Sequence, residues 1–405
     1  MYLILAWRNI WRNRRRTLIT LASVVFAVFF SCLMQSMQQG AWGQMIDNAV
    51  RFYSGYIQVH QKGYWNDRTL DNSFGNSPSL QHKLAKHPNI LAVVPRLESF
   101  ALASGSDRTK GTLVIGIDPE KENELTNLRH KMRGGTYLQA NQKKALVAEG
   151  LADFLKLAPH DTIVLIGQGF HGVNAAGKYE VGGIVKFPSP QLNDQLVYLP
   201  LPEAQWLYDT GNRLTSLSLL VDDPEKVEII TKSLQRELDP AQFEVMDWQE
   251  LMPDLVQSFE LDSIGGQVIL FILYAVIGFG IFGTFLMMTT ERRYEIGVMI
   301  AIGMSRLKLQ SIMFLEILML ALVGTLLGMV VSLPVIFYLH FHPIPVTGNL
   351  AELYQNFGME PIIPFSPKPD IFLRQAYIVA IITSVLGIYP IWFIQRLDPV
   401  TALRN

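Results

Sequence analysis

The sequence predicts an α-helical membrane protein with four transmembrane helices plus an α+β extracytoplasmic domain, a split βαβ subdomain carrying a β-rich insert. Three observations carry this. The 405 residues are 49% apolar, high for a chain that folds wholly in water. Four charge-poor apolar runs are long enough to cross a hydrocarbon core of about 30 Å at about 1.5 Å per helical residue. Between the first run and the second, residues 41–262 alternate strand and helix signals and carry ordinary turn chemistry.

Residues 1–16, MYLILAWRNIWRNRRR, set Leu3, Trp7, Ile10 and Trp11 among clustered arginines. This suits a helix lying in the inner membrane interface; a topogenic charge cluster with no further role is the other reading. Residues 17–38 form the first span, longer than a signal-peptide core and without a clean cleavage site after it. The second span covers 263–290, the third 311–340 and the fourth 371–395, with a 291–310 cytoplasmic loop, a 341–370 external loop and a 396–405 tail. Arg8, Arg12, Arg14, Arg15 and Arg16 precede the first span, and Arg292, Arg293, Arg306 and Lys308 lie between the second and third. Because Lys and Arg stay on the cytoplasmic side, both termini are expected inside and 41–262 outside.

In the external segment, strands are expected at Gly55–His60, Leu91–Ser104, Ser216–Asp222 and Phe243–Trp248, with helices at Ser79–Ile90 and Pro224–Leu238. This is βαβ followed much later by βαβ. The insert, about 105–205, is rich in short strands and reads as a second, mostly β subdomain.

The formal net charge of −1 gives no basic field for nucleic acid, and none is expected as a partner. The single cysteine, Cys32, lies in the first span, preceded by Phe29, Phe30 and Ser31, a poor lipid-attachment signal; a packing role is expected. GVNAAGKY (Gly172–Tyr179) approaches a phosphate-binding loop, but Tyr179 stands where Ser or Thr would hold Mg²⁺ and a strand-like run follows, so a glycine-rich hairpin is expected. His340 and His342 have no further ligand-like neighbours, and no metal site is expected. Glu316, near the inner end of the third span, is read as interfacial, with pairing to a loop cation as the alternative. Gly278, Gly280, Gly283, Gly324 and Gly328 permit close helix approach. The sequence has no catalytic motif of the common hydrolase or metalloprotease types, so no enzyme activity of its own is expected.

Thr289–Gly328 is the most informative stretch. Glu291, Arg292, Glu295, Ile296, Gly297, Ala301, Ile302 and Gly303 match E-R-x-x-E-I-G-x-x-x-A-I-G, with Met304 where Ala or Ser is usual, and Pro399, Ala402, Leu403 and Arg404 match a P-x-x-A-L-R ending. With the one-plus-three span pattern, the chain resembles the FtsX-like (MacB/LolC/LolE-type) ABC transporter permease family, closest in look to the lipoprotein-releasing permeases. The resemblance implies that Glu291, Arg292, Glu295, Ile296, Gly297, Ala301 and Gly303 couple the chain to a separate cytoplasmic ABC ATPase, which binds the ATP and Mg²⁺; no cofactor is expected in this chain. It further implies a bacterial inner-membrane location, pairing with a second permease as homo- or heterodimer, and extraction of lipoproteins toward the outer membrane, with a periplasmic carrier as a further partner. Efflux of the macrolide-exporter kind, whose members usually carry a fused ATPase, and signalling to a cell-wall hydrolase are the alternatives. Phe30, Leu33, Met34 and Met37, with Ile264, Val268 and Phe271, are the residues expected to hold acyl chains, although apolar stripes on membrane helices also simply pack or face lipid.

Overall fold

A computed structural model describes residues 2–12, 14–50, 54–187, 189–356 and 361–397. The matched ending at Pro399, Ala402, Leu403 and Arg404 lies outside the described residues, as do the side chains of Leu3 and Arg16. The chain divides into two compact units, Met1–Gln44 with Ser258–Pro345 and Ile362–Asn405, and Met45–Gln257 with Val346–Pro361.

The chain opens with α1 (Tyr2–Arg12) and α2 (Arg14–Ala49). At 36 residues α2 outlasts the predicted span toward its C-terminal end, because hydropathy marks the part suited to lipid whereas polar residues such as Gln39, Gln44 and Asp47 do not end a helix.

The second unit is built on one ten-stranded sheet. Its strands are β1 (Ile57–Gln61), β2 (Ile90–Ser104), β3 (Thr109–Ile117), β4 (Met132–Gly135), β5 (Lys144–Ala148), β6 (Thr162–Gln168), β7 (Asn174–Val185), β8 (Leu196–Pro200), β9 (Ser216–Val221) and β10 (Phe243–Asp247). Helix α3 (Pro78–Ala85) follows β1, α4 (Pro119–Thr126) follows β3, and α5 (Val227–Glu237) joins β9 to β10. The order β10-β1-β9-β2, all antiparallel, is two interleaved βαβ halves, as expected. Helix α3 begins at Ser77, whose hydroxyl accepts from Leu80 N, and stops short of the expected Ile90 because Pro88 bars His87 from the helical region. Helix α5 buries Val227, Ile230 and Leu234 along one face.

The insert is not a separate subdomain with a sheet of its own. The 15-residue β2 pairs with β9 through its first half and with β3 and β6 through its second, so the insert extends the same sheet. Inside this unit Arg96 and Glu122 are fully buried and bidentate, Nε to Oε2 at 2.9 Å and Nη2 to Oε1 at 2.6 Å, pinning α4 to β2. Buried His60 on β1 stacks on Tyr64, centroids 5.0 Å apart, and its Nδ1 lies 3.0 Å from the Thr215 carbonyl.

The first unit is completed by α6 (Pro253–Glu291), α7 (Arg293–Ala301), α8 (Arg306–Phe341), α9 (Pro369–Leu386) and α10 (Ile388–Arg396). Among the described residues, four helical stretches are long and apolar enough to cross a membrane, within α2, α6, α8 and α9–α10. The fourth is interrupted at Gly387, since Pro390 has no N–H to give the Leu386 carbonyl. Helices α2 and α8 meet along a glycine seam: a Cβ on Gly324 would fall 2.7 Å from Val24 Cβ, and one on Gly328 2.7 Å from Val28 Cβ. These glycines serve packing within one chain, whereas Gly280 and Gly283 on α6 face open space. In its C-terminal half α2 is held by the segment after Pro361. The Ser36 hydroxyl donates to the Ser366 carbonyl at 2.7 Å, and Ser366 N donates back to the Ser36 carbonyl at 3.0 Å.

Candidate functional site: the joint between the second and third spans

Helix α6 ends at Glu291, Arg292 forms the corner, and α7 runs to Ala301 before α8 starts at Arg306. The corner is fixed from inside. Arg292 Nη1 donates to Glu316 Oε2 on α8 at 2.7 Å, and Nη2 donates to the Asn9 carbonyl of α1 at 3.3 Å. Glu316 is 1% exposed, among buried Ile312, Met313, Ile317 and Leu320. A carboxylate so placed is tolerated only with a close cation, and the planar guanidinium meets that need while one arm remains for a carbonyl. Glu316 is therefore a buried, paired group and not the interfacial one expected from its position in the sequence. Pairing with a loop cation, the alternative offered by the sequence, is what the structure shows, with Arg292, 24 residues away, as that cation.

Helix α7 turns one side inward. Ile296 and Gly297 are buried and Met299 and Ile300 pack against the same apolar core, while Tyr294, Glu295, Ala301 and Ile302 are exposed. Glu295 pairs with Arg12 of α1. The helix closes on Gly303, at φ +101°. Gly303 N donates to the Ile300 carbonyl and Met304 N to the Met299 carbonyl, each at 3.0 Å, which is a Schellman closure with glycine at C′. Nothing lies within 4 Å of a Cβ built at Gly303, so its backbone conformation, and not close packing in this chain, is what calls for glycine. Beyond it, Arg306 reaches the carbonyls ending α10, with Nη2 to Leu397 O at 3.0 Å and Nη1 to Gln395 O. Two of the arginines read as topological signals thus also cap helix ends.

Of the seven residues expected to couple, Glu291, Glu295, Ala301 and Gly303 are on the outer side of this joint, and Arg292, Ile296 and Gly297 build its inner side. Also at this joint, outside the seven, are Asn9, Arg12 and the exposed apolar residues Tyr294, Ile302 (82% exposed) and Leu307. The helical period of α7, with Ile296, Gly297 and Ile300 inward, is the signal that places Tyr294 outward.

The acyl-chain residues are not gathered into one cavity within the chain. Ile264, Val268 and Phe271 lie on the outward stripe of α6, Phe271 being 72% exposed, while Gly266, Leu270, Gly278 and Ile281 form its inward stripe. Phe30 is exposed and stacks with Phe26, Leu33 packs on the core, and Met34 and Met37 are half-buried. The reason is the α6 period: the positions chosen for apolarity in its N-terminal half fall opposite Gly266, which lies against Gln38 of α2.

The phosphate-loop look-alike lies in the hairpin of β6 and β7, as expected. Asn174–Tyr179 belongs to β7, and the turn lies earlier, at Gly169–Val173, with Gly172 at φ +80°. His340 Nδ1 lies 2.8 Å from the Phe365 carbonyl, and His342 stacks on Tyr338 at 4.8 Å, so the H-x-H pair has local partners.

Two family models match the chain. Residues 17–237 match the MacB-like periplasmic core domain, and 267–399 match the FtsX-like permease C-terminal region. The lipoprotein-releasing system transmembrane protein LolC of Neisseria meningitidis serogroup B is 23% identical over 326 residues, covering 78% of this chain and 75% of its own. The macrolide export ATP-binding/permease protein MacB of Azoarcus sp. is 22% identical over 423 residues, 99% of this chain; the match spans only 58% of that longer protein. The crystal structure of the periplasmic region of MacB from Actinobacillus actinomycetemcomitans aligns with a TM-score of 0.36 at 17% identity, over 54% of this chain and 98% of that one. The fold and the joint define a membrane permease. The chain belongs to the FtsX/MacB/LolC family of ABC transporter permeases, which work with an ATPase partner.

Proposed function

We propose that this chain is the permease of an inner-membrane transporter that draws on a separate cytoplasmic ATPase to extract lipoproteins and pass them toward the outer membrane. The termini and the α6–α8 joint are cytoplasmic in this reading, and the ten-stranded domain is external. The observation that carries it is the joint itself: a short helix held rigidly on its inner side by Arg292, Ile296 and Gly297, presenting Glu291, Tyr294, Glu295, Ala301 and Ile302 outward. A rigid exposed helix between two long spans is suited to receive a push from a partner. Closure of two ATPases around ATP and Mg²⁺ tilts α7, and with it α6, in each of two paired permease chains.

The substrate class is supported by the similarity to LolC and by the outer apolar stripes. Phe30 on α2 and Ile264, Val268 and Phe271 on α6 offer acyl chains an uncharged surface, and a second permease facing these stripes completes an enclosure. The experiment is depletion of the protein in its native cell followed by membrane fractionation. Outer-membrane lipoproteins are expected to accumulate in the inner membrane. Normal sorting with altered macrolide sensitivity replaces this reading with efflux, and normal sorting with a cell-separation defect replaces it with hydrolase control.

A further inference from the structure

Helix α1 commits one of its faces to the protein. Ala6 and Ile10 are buried, and α1 packs along α8. Its last turn, where carbonyls lack donors within the helix, is closed by other residues: Asn9 O accepts from Arg292, and Ile10 O accepts from the Thr17 hydroxyl. A cation at a helix C-terminus also meets the negative end of the helix dipole.

Arg292 therefore stands at a three-way contact. Glu316, unable to turn toward water, fixes the guanidinium; the fork's second arm fixes the end of α1; and Arg292 itself is the corner from which α7 departs. Arg12, one turn beyond Asn9, meets Glu295 on the first turn of α7. That second pair is about half exposed on both sides and contributes little energy, but it reports the register of α1 against α7.

We propose that α1 is a brace for the joint: Arg292 and Glu316 are positioning residues that clamp the C-terminal end of α1 against the corner and so set the pose in which α7 meets the ATPase. The inference rests on the coupling reading above for its consequence, but its geometry belongs to this chain alone.

The test uses the full-length chain in membranes with its co-purified ATPase. Arg12→Cys and Glu295→Cys place thiols at the reporter contact, Cys32 being buried, and a short bis-maleimide joins them. On that background, Arg292→Met with Glu316→Leu removes both buried charges together, so the chain still inserts and folds. Arg292→Lys keeps the ion pair but not the fork, and separates pairing from bridging. Cross-linking is expected to fall about fivefold in the apolar double replacement and about threefold in Arg292→Lys. In the same two replacements made without the cysteines, ATP hydrolysis is expected to continue while substrate movement is lost. Unchanged cross-linking in the double replacement overturns the brace, and so does reduced cross-linking with transport fully retained. Because the cross-link needs no ATPase, a cysteine pair that cross-links normally while the unsubstituted chain captures no ATPase sinks the coupling reading and leaves the brace standing.

Discussion

Gly303 offers a perturbation whose size can be worked out from one angle. At φ +101° it occupies a conformation that side chains rarely adopt, and a Cβ there meets nothing within 4 Å. Gly303→Ala therefore adds no clash, and its whole effect is conformational, about 1–2 kcal/mol by the usual cost of positive φ in a non-glycine residue. That strain falls on the closure of α7, where the amides of residues 303 and 304 donate to Ile300 and Met299. Since about 1.4 kcal/mol is a factor of ten, hydrogen exchange of those two amides is expected to speed up about tenfold, while helices α8 and α9 keep their protection. Gly303→Asn, which tolerates left-handed backbone better, is expected to recover part of the loss. ATPase capture in a pull-down should weaken in the order Asn, then Ala. Equal exchange in Gly303→Ala and the parent refutes the backbone argument. If Ala is silent and only Gly303→Trp abolishes capture, the glycine is there to admit the partner and not to close the helix.

Two further predictions follow the same logic. Gly328→Ile drives a branched side chain into Val28 and is expected to lose about 1–3 kcal/mol, read as a lower melting temperature in detergent. Gly280→Ile, facing open space, is expected to stay within about 0.5 kcal/mol of the parent; the reverse ranking would refute the seam. Burial pulls the His60 imidazole down from 6.5 to about 4, more than the Thr215 carbonyl beside it can offset. The fold thus holds His60 neutral while the unfolded chain takes up a proton below about 6.5. Stability is complete above that pH and falls by on the order of 3 kcal/mol as pH drops toward 4. Denaturation followed through Trp65, whose ring centroid lies 5.8 Å from that of His60, should show this slope, and His60→Gln should flatten it.

Local chemistry alone determined the four apolar runs, the arginine-weighted loops, the two βαβ halves and the glycine-bearing joint. Each is a matter of composition or period within a window of some twenty residues or fewer, and the physics that sets them, lipid solvation, backbone sterics and side-chain alternation, acts over that range. Even the halts of α3 and α9 were written locally, in Pro88 and Pro390. Tertiary structure decided the rest. Gly324 and Gly328 were visible as small residues, but that they admit Val24 and Val28 of the first span depends on which helix comes alongside. The outward turn of Ile264, Val268 and Phe271 depends on α6 meeting α2 at Gly266. Glu316 was visible as a charge at a span edge; its burial against Arg292, and the reach of that arginine to Asn9 across 283 positions, exist only once α1, α6 and α8 are packed. A pair energy depends on distance and on exclusion from water, and neither is a property of residues read one after another along the chain.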